Sequence, residues 1–168
     1  FRSRKMMFFV LLLSFLPLLT GSPIPSQSPN AQRVCDGGFH NIYDHCIQFR
    51  TQEVSWYEGK NLCSNMGAKL AKVDDANFMY YLVKFIRNNG LDGYYYWIGA
   101  SDEGHDGLFR WTDGTAVKMG TPFWGDSADQ VQEPDSNYNH NCVFLARHDH
   151  FFFFDYDCSA PEAIICEK

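Results

Sequence analysis

The run Tyr94-Tyr95-Tyr96-Trp97-Ile98-Gly99-Ala100 decides how this chain is read. It joins aromatic residues to a β-branched one, lies between Gly93 and the turn-forming Ser101-Asp102-Glu103-Gly104, and reads as a buried strand. On its N-terminal side the pattern is helical. Ser55 is placed to cap a helix, with Glu58 three residues on as its capping-box partner. Trp56, Leu62, Cys63 and Met66 give that helix an apolar face, and Gly67 ends it. Asp74 or Asp75 caps a second helix, in which Phe78, Met79, Leu82, Val83, Phe85 and Ile86 recur at helical spacing before Asn88-Asn89-Gly90 stops it. This stripe reads as core.

Further out, residues 39–49 suit a short hairpin after the turn Asp36-Gly37-Gly38. Residues 108–112 are strand-like and are followed by a turn at Asp113-Gly114. Residues 115–141 are polar, punctuated by Gly and Pro, and lack periodicity. A loop of that length in one domain is commonly functional. Strand-like runs follow at 142–146, 150–155 and 163–167. Two early helices, late strands and one long loop make an α+β domain with a mainly antiparallel sheet.

The chain has 168 residues, 14 basic against 20 acidic side chains, and a net charge of -6. Nucleic acid is a poor partner for such a surface, which lacks the surplus of Lys and Arg that phosphate binding needs. The first residues suggest export. Arg2, Arg4 and Lys5 precede an apolar run over 8–19 and then Thr20-Gly21-Ser22-Pro23, so residues 1–22 read as a signal peptide, with 1–5 as upstream translated residues. The run is too short for a membrane span, which takes about 20 apolar residues. Residues 23–34 read as a proline-punctuated linker. Without residues 1–22 the balance is 11 basic to 20 acidic, a net charge of -9. In an exported chain the six cysteines suggest three disulfides, but six cysteines allow 15 pairings and spacing alone selects none.

Over residues 35–168 these pieces resemble the C-type lectin-like domain family. Trp97-Ile98-Gly99-Ala100 is similar to the family's Trp-Ile-Gly-Leu strand, and Ser55-Trp56-Tyr57-Glu58 with Cys63 to its first helix. Glu133-Pro134-Asp135 stands where the family carries Glu-Pro-Asn or Gln-Pro-Asp, and Cys142, Cys158 and Cys166 stand at family spacings. The stretches 119–125 and 132–135 look like secreted arthropod members. The resemblance implies the pairs Cys35–Cys46, Cys63–Cys166 and Cys142–Cys158, and a cis bond before Pro134.

It also implies a Ca²⁺-assisted sugar site. Ca²⁺ takes six to eight oxygen ligands. Carried over position by position, Glu133, Asp135 and Asp155 offer oxygen as metal and carbohydrate ligands. His140 stands where a Glu is expected and Phe154 where an Asn is expected, so this donor set implies a weak Ca²⁺ site or none. Asp126, Asp129, Asn139 and Asn141 are candidates to fill the gaps. Glu133-Pro134-Asp135 combines two acids with no amide, so neither the mannose-type nor the galactose-type preference carries over. The implied function is a secreted lectin for glycans on cell or microbial surfaces, as in innate immunity. The alternative is a protein-binding module with a degenerate calcium site.

Other chemistry fits less well. His148 and His150, if on one strand, would share a face and with His140 could hold Zn²⁺, but exposed loop histidines are the simpler reading. In the run Phe151-Phe152-Phe153-Phe154, two rings would face the core and two the other side, packing under the loop. No Gly-x-Ser-x-Gly or His-Glu-x-x-His motif occurs, and a carboxylate pair flanking a loop proline is not read as a glycosidase site, so no enzyme is expected.

Overall fold

A computed structural model describes residues 33–105, 107–120, 122–127, 131–135 and 139–168. The expected leader at 1–22 and residues 23–32 of the linker lie outside the described residues. Among those described, no helix is long and apolar enough to cross a membrane.

Strands β1 (His40–Ile42) and β2 (His45–Val54) form the expected hairpin, followed by helix α1 (Trp56–Asn65). Ser55 is the N-cap of α1 and shares a reciprocal capping box with Glu58, as the sequence predicts. Strand β3 (Lys69–Leu70) leads to helix α2 (Ala76–Asn88). Asp75 rather than Asp74 is its cap, accepting from the backbone N–H groups of Asn77 and Phe78, both at 2.9 Å. Then come β4 (Tyr96–Ser101), β5 (Arg110–Trp111), β6 (Cys142–Ala146), β7 (Phe152–Tyr156) and β8 (Glu162–Glu167).

The strands form one sheet in the order β1-β2-β8-β4-β6-β7, with β3 on β8 and β5 on β4. The last strand therefore enters the middle of the sheet. Its pairing with β4 is parallel, with Tyr96 beside Ala163 and Trp97 beside Ile164. All other strand pairs are antiparallel.

Two apolar clusters hold this arrangement. One lies against α2 and contains Phe78, Leu82, Ile86, Tyr96, Ile98 and Phe153, among others. The helical stripe is core, as its spacing predicts, with Val83 and Phe85 partly buried at its edge. The second gathers α1 residues around Trp97, whose indole N–H reaches the carbonyls of Val54 and Ala160, each at 3.2 Å. Trp56 donates to the carbonyl of Ile98 at 2.8 Å, fixing α1 on β4. Gly99 allows β3 to approach: a Cβ there would lie 2.7 Å from the Leu70 carbonyl oxygen. Cys35–Cys46, Cys63–Cys166 and Cys142–Cys158 are all bonded, and no cysteine is free.

Three expectations need correction. The strand-like run at 108–112 pairs only at Arg110–Trp111, because the backbone around it goes to turns, with Leu108 N–H bonding His105 and Gly114 N–H bonding Trp111. The run at 150–155 begins as a strand only at Phe152, because His150 and Phe151 have left-handed backbone angles, φ 53° and 68°. His148 accordingly sits in a 3₁₀ turn (Arg147–Asp149), and the shared strand face imagined for His148 and His150 does not exist.

Candidate functional site

The middle of the long loop is tied to β7 around Phe153. Phe153 N–H bonds the Phe123 carbonyl at 2.7 Å, and Gly125 N–H bonds the Phe153 carbonyl at 3.1 Å. The loop lies so close to β7 here that a Cβ on Gly125 would collide with Asp149 and Phe154. Glu133 N–H then bonds the Gly125 carbonyl at 2.9 Å, which brings the second half of the loop to the same edge. The Glu133–Pro134 peptide is cis, as the resemblance implies.

β7 supplies the other half. Asp155 pairs with Val143 of β6, and Cys142–Cys158 crosses beside that register. Alternation along β7 sends successive side chains to opposite faces. Phe153 joins the cluster under α2, and Phe154 joins the Trp97 cluster, where its ring stacks on Phe144 at 6.4 Å between centroids. Phe151 is buried too and Phe152 is half-buried, so the four-ring run is packing for the most part. Phe154 is core and brings no oxygen to the site.

Glu133, Asp135 and Asp155 do come together, and His140 comes with them. Carboxylate oxygens of Asp135 and Asp155 and a ring nitrogen of His140 all lie within 4.8 Å of one another. His140 Nδ1 stands 3.9 Å from Asp135 Oδ1, and its ring lies 5.0 Å from that of Tyr156. Asp135 is exposed, while Glu133 and Asp155 are only 6% and 5% exposed. Burial raises the pKa of both carboxyls, and that of Glu133 is pushed up to about 8, helped by its hydrogen bond to Asp155. Two carboxyls can share such a bond only if one is protonated. The pair as a whole therefore keeps one proton in the range where ordinary carboxyls are ionised. Asp155 Oδ1 is buried without a hydrogen-bond partner among the described residues.

His140 has no oxygen to offer, but the structure places its ring nitrogen beside two carboxylates. Its position two residues before Cys142 was the available signal, but its partners are distant in sequence. Of the other candidates, Asp126 is not part of this group and Asp129 lies outside the described residues. His148 and His150 are elsewhere, His148 Nδ1 against the Tyr95 hydroxyl at 3.1 Å and His150 Nδ1 against Asp149 at 3.3 Å.

This donor set does not fit Ca²⁺ well. A hard cation needs six to eight oxygens. Here the acidic and histidine side chains that converge are two carboxylates and an imidazole, Glu133 is engaged with Asp155, and Phe154 is in the core.

A family model described as the lectin C-type domain matches residues 52–168. Human C-type lectin domain family 4 member D is 26% identical over 147 residues, covering 87% of this chain and 64% of that protein. The chain spans less than two thirds of the length of the curated relatives it matches. Among solved structures, the mouse scavenger receptor C-type lectin carbohydrate-recognition domain superposes with a TM-score of 0.65 at 21% identity, covering 80% of this chain and 95% of that one. A calcium-independent type II antifreeze protein superposes with a TM-score of 0.64 at 21% identity, covering 80% and 94%. At these identities the structures establish the shared fold.

Proposed function

Since the chain belongs to the C-type lectin domain family, we propose that it is a secreted carbohydrate-binding module that recognises glycans on cell or microbial surfaces, as in innate immunity. In this reading residues 1–22 are a leader, 23–34 a linker and 35–168 the binding domain, with no catalytic role. The observation that carries it is the convergence of Asp135 and Asp155, from a loop and a strand, on one polar group beside His140. Ionised carboxylates accept hydrogen bonds from sugar hydroxyls, and neighbouring acceptors suit a vicinal pair. Glu133 engages the Asp155 carboxyl, and Asp135 is exposed to meet ligand. With this donor set Ca²⁺ contributes weakly.

The test is retention of the protein on immobilised mannose, galactose and peptidoglycan, first with Ca²⁺ and then with EDTA. Binding to any of the three that falls in Asp135→Ala supports the lectin reading, and a chelator-sensitive part measures how far a cation assists.

A second reading is a protein-binding module that uses the long-loop face and has no sugar site. The hydrogen bond that engages Glu133 with Asp155, and the burial of Phe154, favour it, since both remove groups from a sugar-binding shell. Failure to bind all three glycans, together with calcium-independent binding to a protein, selects it.

A further inference from the structure

We propose that Asp135, His140 and Asp155 form a three-ligand site that prefers a borderline divalent transition metal, Zn²⁺ in class, over calcium. The inference rests on the reading of Asp135 and Asp155 as the recognition group, but it is tested by metal binding alone.

Donor chemistry carries it. The three ligand atoms come from two carboxylates and one imidazole and all lie within 4.8 Å of one another. Imidazole suits Zn²⁺ and its neighbours, whereas Ca²⁺ and Mg²⁺ prefer oxygen alone. A Zn²⁺ ion about 2.1 Å from each ligand needs ligand atoms about 3.4 Å apart. The His140–Asp135 separation of 3.9 Å is near that value, and Asp135 is an exposed loop residue that can close the difference.

A second observation points to a ligand independently. Asp155 is 5% exposed, yet its Oδ1 has no hydrogen-bond partner among the described residues. A buried carboxylate oxygen without a partner is costly, and a bound cation would relieve it. The hydrogen bond with Glu133 engages the Asp155 carboxyl in the way that outer partners orient ligating carboxylates. Three protein ligands leave a tetrahedral ion one open position, for water or an incoming oxygen.

The experiment is calorimetric titration of the full-length, oxidised protein with Zn²⁺, Mn²⁺ and Ca²⁺ after EDTA treatment and its removal. One Zn²⁺ per chain is expected, bound at least about tenfold more tightly than Ca²⁺. His140→Ala should weaken Zn²⁺ by about tenfold or more with little change toward Ca²⁺, and His140→Glu should shift preference toward Ca²⁺. The double variant His148→Ala, His150→Ala should bind Zn²⁺ as the parent does. Equal or tighter Ca²⁺ binding overturns the inference. So does Zn²⁺ binding that survives in His140→Ala or is lost in the His148, His150 variant. Zn²⁺ binding in a protein that retains no glycan leaves the metal site standing and removes the carbohydrate reading. Glycan binding without a Zn²⁺ preference does the reverse.

Discussion

Glu133 and Asp155, two acids 22 positions apart in sequence, form a hydrogen-bonded pair of buried carboxyls that shares one proton. This pair gives metal-free protein a specific pH dependence. Burial and the bond to Asp155 push the Glu133 pKa up to about 8, from an ordinary value of 4.5. Between those values the folded chain holds a proton that the unfolded chain has released. The stabilisation is therefore complete below about pH 4.5 and is lost as pH rises through about 8. In EDTA the thermal midpoint should fall across that window, by at most about 1.4 kcal/mol of stability per pH unit for one proton. Glu133→Gln keeps a donor without a titrating group and should flatten the slope. A parallel slope in that variant would remove the shared proton from the account.

Gly99 tests the close approach of β3 to β4. Its N–H bonds the Ala71 carbonyl at 2.8 Å, and an added Cβ would meet the Leu70 carbonyl oxygen at 2.7 Å and the Ala71 carbonyl oxygen at 3.3 Å. Backbone atoms cannot swing aside as a side-chain end can. Gly99→Ala should cost about 1–3 kcal/mol, as overpacking does, read from urea unfolding followed by circular dichroism. A variant as stable as the parent would mean that β3 shifts freely.

These two sites also show what the sequence could reveal. The Ser55–Glu58 cap, the buried stripe of α2 and the Trp97 strand are local patterns and were legible residue by residue. The two-residue strand β3 was not, because two residues carry no alternation to read. The parallel pairing of Tyr96 with Ala163 was not legible either, since nothing near Tyr96 encodes a partner 67 positions away. The disulfide pairs followed from family resemblance and not from spacing. At the site, the acids were found from their motif positions. The inward turn of Phe154, and the meeting of His140 with Asp135 and Asp155, depend on how the loop returns to β7, which no short pattern specifies.

The long bridge should outweigh the first one. Cys63–Cys166 closes a separation of 103 residues, against 11 for Cys35–Cys46. In the chain-entropy model these correspond to about 4.7 and about 3 kcal/mol. Paired Cys→Ala variants of these two bridges, compared by denaturant unfolding with the other two bridges intact, should rank in that order. The long bridge also joins α1 to the central strand β8, two elements far apart in the chain. An equal loss from both bridges would mean that residual structure already holds the ends of the long loop together in the unfolded chain.

Asp135→Asn separates sugar choice from metal choice at one position. Glu133-Pro134-Asp135 has no amide, so the triplet lacks the amide donor of the family's mannose-type Glu-Pro-Asn. The substitution restores that donor. One added hydrogen bond contributes about 0.5–1.5 kcal/mol, so retention on mannose relative to galactose should rise several-fold on a glycan array. The same change removes one of the two carboxylates grouped with His140, so Zn²⁺ should bind more weakly in the variant even as the sugar preference sharpens. Unchanged glycan selectivity would remove Asp135 from sugar recognition, and unchanged Zn²⁺ affinity would remove it from the metal site. The two readouts move in opposite directions only if Asp135 serves both.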